Sequence, residues 1–201
     1  MPARTSSHLR FSLWVRALWL TLSLCAFSVQ GAEADDFFDP TFGALNEELE
    51  VAADDQKKAV FVFFEMDGCP FCHWMKQHVL NQPEVQNYFQ KNFLNLSLNI
   101  SREMDMTDFQ GTQYSMQEFS HLLRIRATPL MLFVDLKGQV IFRFIGKTSS
   151  VQEFLWMGEY VAEGHYHQHS FIRFKQQKRA SLKKSWIILL KYSYCITAVK
   201  V

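Results

Sequence analysis

Only four cysteines occur among the 201 residues, at positions 25, 69, 72 and 195. So few exclude a small fold stapled by a framework of disulfides. One pair alone is closely spaced, Cys69 and Cys72. With no second C-x-x-C, a four-cysteine zinc site would lack half its ligands, and no metal site is expected. Proline and glycine are sparse, five and eight residues, and no internal repeat or low-complexity segment interrupts the middle of the chain. Collagen-like and linker-dominated chains are thereby excluded. No apolar run reaches the roughly 20 residues that a membrane-spanning helix needs. Acid is missing from residues 171–201, where eight Lys and Arg stand alone, whereas residues 35–170 hold nineteen Asp and Glu against ten Lys and Arg. An acidic body argues against nucleic acid as a partner.

The chain is rich in apolar residues, 48% hydrophobic and 15% aromatic with nineteen phenylalanines. That suffices for one domain with a substantial core containing a sheet. Ahead of it, Arg4, Arg10 and Arg16 precede an apolar run from Ala17 to Val29, followed by Ala32-Glu33-Ala34. This reads as a signal peptide over residues 1–34, cleaved near Ala34 at an A-x-A site. Retention as an anchor is the alternative. Leu24, before Cys25, is too large for a lipoprotein processing site. Export places the chain in an oxidising compartment such as the periplasm.

Periodicity predicts a helix over Thr41–Lys58, a strand over Ala59–Phe64 and a helix over Pro70–Leu80. Pro83 suits the first turn of a further helix over Glu84–Lys91. Phe93–Ile100 alternates apolar and polar residues as a half-buried strand does. Gln110-Gly111 can turn a small hairpin. Ser115 to Glu118 and Ser150 to Glu153 are capping boxes, opening helices over Met116–Ile125 and from Val151 to about Ala162. Between them lie strands Leu130–Val134 and Val140–Phe144 with a turn at Asp135 to Gly138. Strands and helices in this order predict an α/β fold, a central mixed sheet with helices on both faces.

The chemistry is expected at Cys69-Pro70-Phe71-Cys72-His73. A strand delivers the pair to a helix start, where unpaired N–H groups and the helix dipole stabilise a thiolate. Cys69 is then the attacking thiolate and Cys72, one turn deeper, the resolving thiol. His73 is a candidate for tuning the thiols or moving protons. The pentapeptide is also the attachment signature of c-type haem, and the motif alone leaves that reading open. Trp74 and His78, on one helix face, read as packing. His165, His167 and His169 alternate as copper or zinc ligands could, but without a nearby acid or cysteine at ligand spacing they read as a solvated stretch. The segment 171–201 reads as a basic and apolar tail, with a membrane-surface role as one reading.

Three features carry a resemblance to the thioredoxin family: the strand running into Cys69-Pro70-Phe71-Cys72, Thr128-Pro129 before an apolar strand, and a hairpin leading to a last helix. The C-P-F-C-H-x-M run, Pro83-Glu84-Val85, Asp108-Phe109-Gln110-Gly111 and the Tyr160–Tyr166 end resemble more closely the exported SoxW-like thioredoxins of bacterial sulfur oxidation. The likeness covers roughly residues 41–174. It implies a thioredoxin fold over residues 35–170, dithiol–disulfide exchange without a cofactor, and a cis Pro129 whose backbone faces the bound chain. Pro70, Phe71 and Thr128 are then substrate-contacting. It also implies a monomer that reduces disulfides of an exported cysteine-containing protein and is recycled by a membrane electron donor or acceptor. A disulfide oxidase or isomerase is the alternative within this fold. Phe63 stands where the family carries a buried acid, and Glu65, two residues on along the same strand face, is the candidate substitute.

Overall fold

The computed structural model describes residues 34–198, and the side chains of residues 36–184. Its central element is β1 (Ala59–Glu65), a run of β-branched and aromatic residues buried from Ala59 to Phe64. Burial on both faces requires cover on both sides. β1 pairs in parallel with β2 (Phe93–Asn99) and antiparallel with β5 (Leu130–Val134), which pairs antiparallel with β6 (Val140–Ile145). The sheet order is β2-β1-β5-β6. The expected mixed sheet covered on both faces is what forms.

Side chains alternate across a strand, so β1 divides its residues between two clusters. Val60, Val62 and Phe64 join Leu96, Leu132, Leu45 and Leu49 under α1 (Leu45–Asp54). The hairpin β3 (Asp105–Thr107) and β4 (Gln113–Ser115) covers that face together with α4 (Met116–Leu122). Phe61 and Phe63 face the other way, toward α2 (Pro70–Met75), α3 (Pro83–Asn92) and α5 (Val151–Ala162). α2 continues as a π-turn over Lys76–Leu80. The second face is almost wholly aromatic. Phe61 meets Phe37, Phe89, Phe133 and Phe154 with ring centroids 5.0–5.9 Å apart. Phe89 stacks on Phe154 at 4.3 Å. A Cβ added at Gly158 would lie 2.9 Å from the Phe89 ring and 3.0 Å from that of Tyr88. Phe89 is fully buried and has no room to yield. Gly158→Ala should therefore lower the urea midpoint, overpacking of about 1–3 kcal/mol outweighing the roughly 1 kcal/mol alanine gains in helix propensity. A raised midpoint would contradict this packing.

Several boundaries differ from expectation for identifiable reasons. The first helix starts at Leu45 rather than Thr41. Gly43 takes φ +87°, its N–H donates to Thr41 Oγ1 at 3.1 Å, and its carbonyl accepts from Thr107 N at 2.8 Å. β2 is buried on both faces at its start, Asn95 included. Backbone accounts for this: Asp39 N–H donates to the Asn95 carbonyl at 2.7 Å, and Asn95 N–H donates to Asp39 Oδ2 at 2.8 Å. The segment at Phe37, which no periodicity marked, puts a fully buried ring into the aromatic cluster. The helix after Ser115 stops at Leu122, its capping box reciprocal as expected. At Ser150 only half a box forms. Glu153 N–H donates to Ser150 Oγ, but the Glu153 carboxylate turns to Ser149 and Lys175.

Lys175 belongs to α6 (Phe171–Ala198). The 171–201 segment, read above as a basic and apolar tail, begins with a turn packed on the domain. Phe171 and Phe174 are 7% and 3% exposed within the aromatic cluster, and Lys178 pairs with Glu159 at 2.7 Å. Burial alone would raise the pKa of Glu153. The hydrogen bonds from Lys175 and Ser149 outweigh it and hold the carboxyl below the usual 4.5. A carboxyl lowered on folding contributes stability above its unfolded pKa and loses it as pH falls through the folded one. Glu153→Gln should thus cost about 1.5–3 kcal/mol near pH 7. That deficit relative to wild type should shrink as pH falls below 4.5. Urea unfolding across pH measures it, and a pH-independent deficit would rule out this ion-pair account.

Candidate active site

β1 ends at Glu65, and the turn Met66-Asp67-Gly68 aims the chain into α2. Gly68 takes φ +68°, which a side chain would disfavour, and Cys69 N–H closes the turn onto the Met66 carbonyl at 3.2 Å. Cys69 is the extended residue capping α2, and Pro70 opens the helix, where a missing N–H costs nothing. Cys69 and Cys72 are joined by a disulfide, their Cα atoms 5.3 Å apart. The two sulfurs are not equivalent. Cys72 is 2% exposed, beside Met75 and Val79 in the aromatic cluster, whereas Cys69 is only half-buried and its Sγ accepts the Cys72 N–H at 3.1 Å. Protein outside can reach one sulfur. The other faces inward.

The end of β2 braces the turn. Asn99 Nδ2 donates to Asp67 Oδ1 at 2.7 Å, and Asp67 N–H donates to Ser101 Oγ at 3.2 Å. Glu65 is not solvated. Its Oε1 accepts from Lys76 Nζ at 2.8 Å and from Ser97 Oγ at 3.0 Å, with 17% of its side chain exposed. Lys76 follows Cys72 by four residues on the same helical run. A cavity of about 520 Å³ opens here, lined by Cys69, Cys72, His73, Glu65, Lys76 and Arg102 among others. Sequence reasoning marked Cys69, Cys72, His73 and Glu65 but passed over Lys76, Ser97, Asn99 and Arg102. The i, i+4 spacing of Cys72 and Lys76 was the one signal available for them.

Thr128-Pro129 is a cis peptide. The register Phe64↔Leu130 puts Pro129 at the sheet end where β1 enters the dithiol turn. Its carbonyl accepts from Gly146 N at 2.8 Å. Neither Thr128 nor Pro129 lines the cavity, and nor does Phe71, which is 51% exposed on the outer side of α2. Trp74 stacks on His78 with centroids 5.1 Å apart and takes Lys147 Nζ over its ring at 3.9 Å, so this pair is engaged in packing. His165 lies 2.9 Å from Glu163 and against Phe174. Among the described residues no three His, Cys, Asp or Glu side chains gather as metal ligands would.

A half-buried sulfur bonded to a buried one, at the start of a helix fed by the central strand, is the geometry of a dithiol–disulfide exchange module. The chain belongs to the thioredoxin-like domain family, whose model matches residues 45–162, more than half its length. Among solved structures it is similar to a thioredoxin-fold protein from Helicobacter pylori, 20% identical with a TM-score of 0.56, covering 79% of this chain and 97% of that one. It is also similar to a candidate disulphide-isomerase from Bacteroides thetaiotaomicron, 21% identical with a TM-score of 0.51, covering 67% and 98%. At these identities the likeness is one of fold. No curated protein sequence matches the chain.

Proposed function

We propose that the protein is an exported thiol–disulfide oxidoreductase that reduces disulfides in exported partner proteins. The observation that carries this reading is the asymmetric Cys69–Cys72 disulfide in a thioredoxin-like domain. In the reduced form the Cys69 thiolate attacks a substrate disulfide. One substrate sulfur leaves and takes up a proton, and the other is held on Cys69. Cys72 then gives up its proton and attacks Cys69 Sγ, releasing the second substrate thiol. The chain is left oxidised, as in this structure, and two electrons from a membrane donor restore it. No cofactor takes part. The thioredoxin-like domain match supports this reading over the haem reading of Cys69-x-x-Cys72-His73.

The remaining roles are those the thioredoxin resemblance implies. Phe71 and Pro70, exposed beside Cys69, contact the bound protein, Thr128 and Pro129 present backbone to it, and His73 and Glu65 tune the thiols from the cavity. The chain acts as a monomer in the periplasm after removal of residues 1–34. The reducing direction rests on the SoxW-like features of the sequence.

Direction is tested by equilibrating the couple with glutathione. A reductase should give a potential toward the thioredoxin end of the range, about −270 mV, and catalyse insulin reduction. A value near about −120 mV would make the protein an oxidase instead. Failure of the dithiol to exchange with any disulfide would remove the reading altogether.

A further inference from the structure

α6 runs from Phe171 to Ala198, 28 residues, or about 42 Å at 1.5 Å per residue. Its first two turns hold to the domain, through buried Phe171 and Phe174 and the pairs Lys175–Glu153 and Lys178–Glu159. From Arg179 to Lys184 every residue is exposed, Leu182 included. Past Lys178 the described side chains are thus open to solvent. A basic stretch exposed along a helix is open to a partner outside its own domain.

The sequence states what that partner must offer. Residues 171–201 carry eight Lys and Arg and no acid. With Lys175 and Lys178 spent on glutamates, the other six lack an acidic neighbour along their own segment, Arg179, Lys183 and Lys184 among them. Past these comes Trp186-Ile187-Ile188-Leu189-Leu190, closed by Lys191. These are five consecutive apolar residues. They are too few to span a bilayer, and no helix among the described residues is long and apolar enough to cross one. A nucleic acid would satisfy the lysines but not the apolar run. An acidic protein surface would do the same unless it also carried an apolar groove. An anionic lipid surface supplies both layers at the right depths, negative headgroups for the lysines and hydrocarbon just beneath. Trp beside Lys is the combination that settles at that boundary.

We infer that α6 docks the protein on an anionic lipid surface, with the basic stretch at Arg179, Lys183 and Lys184 on the headgroups and the 186–190 run beneath them. Docking is independent of the dithiol and of the direction in which it works.

The test is sedimentation of the full chain with vesicles of equal parts phosphatidylglycerol and phosphatidylcholine, beside pure phosphatidylcholine vesicles. The wild type should bind the anionic vesicles at least tenfold more tightly and lose most of that binding in high salt. Arg179→Glu with Lys183→Glu and Lys184→Glu, all at exposed positions, should abolish the preference and leave thermal unfolding and insulin reduction as in the wild type. Ile187→Ser with Leu190→Ser should weaken binding at least tenfold at low salt too. Binding equal on both vesicle types, or unchanged in the triple variant, would overturn the proposal. So would dimerisation in lipid-free buffer that the triple variant abolishes, which would make a second copy the partner. Preference for duplex DNA over the anionic vesicles in competition would overturn it as well.

Discussion

Cys72→Ser should accumulate stable mixed disulfides with partner proteins, while Cys69→Ser should accumulate almost none. The expectation follows from exposure. Cys69 is half-buried at the mouth of a cavity and Cys72 is 2% exposed. Cys69 caps α2 and its sulfur already receives the Cys72 N–H. In the reduced form that contact and the helix start favour the Cys69 thiolate, whereas burial favours the neutral thiol at Cys72. Alkylation of the reduced protein should therefore label Cys69 first, along a pH curve centred below the free-thiol value of about 8.5. Removing Cys69 should lower insulin reduction by at least about 100-fold, since Cys72, the other thiol at the cavity, is 2% exposed and poorly placed to attack in its stead. Equal trapping by both variants, or first labelling of Cys72, would reverse the assignment of roles.

Phe171→Ala combined with Phe174→Ala should come close to unfolding the protein. Each ring is buried in the aromatic cluster, Phe171 against Phe142 and Tyr160 with centroids 5.3 Å away, Phe174 against Tyr160 at 5.5 Å. Buried Phe→Ala changes cost about 3–5 kcal/mol each, against a total stability on the order of 5–15 kcal/mol. Truncation at Gln168 removes the same rings and the Lys175 partner of Glu153, and should be at least as damaging. Urea unfolding measures both. A truncated chain of wild-type stability would mean that α6 stands outside the domain after all, as its composition alone suggests.

That contrast shows what was legible in the sequence. Strands β1 and β5 announce themselves as short apolar runs between breakers, the dithiol and the Ser115 capping box are signalled by local spacing, and Pro129 is marked by the family resemblance. Local pattern is all that periodicity reads. Phe37, Phe171 and Phe174 enter the core through contacts with residues distant along the chain, and nothing beside them marks their destination. Asn95 looks like the polar side of an alternating strand and is buried because Asp39 pairs with its backbone. Glu65 could be named as a candidate by its strand face, but its partners Lys76 and Ser97 come from a helix and a neighbouring strand. Glu153 fits a capping box in sequence. It leaves that role half-filled because a lysine twenty-two residues later claims the carboxylate.

The seating of Phe37 bears on how the chain can mature. Its ring touches Phe38, Phe61, Phe89 and Phe154, and the carbonyl of Asp36 just before it accepts from Gln90 Nε2 at 2.7 Å. If residues 1–34 are removed as proposed, the peptidase that trims them works against a fixed limit. Cutting after Ala34 spares every one of these contacts, whereas a cut three residues later would carry away a ring from the centre of the core. Asp39 stands two residues beyond that point, its backbone and carboxylate holding the open side of β2. Over-trimming past it would uncover a strand edge able to pair with other chains. On that reading, the fold sets the latest position at which processing would yield a stable, non-aggregating product.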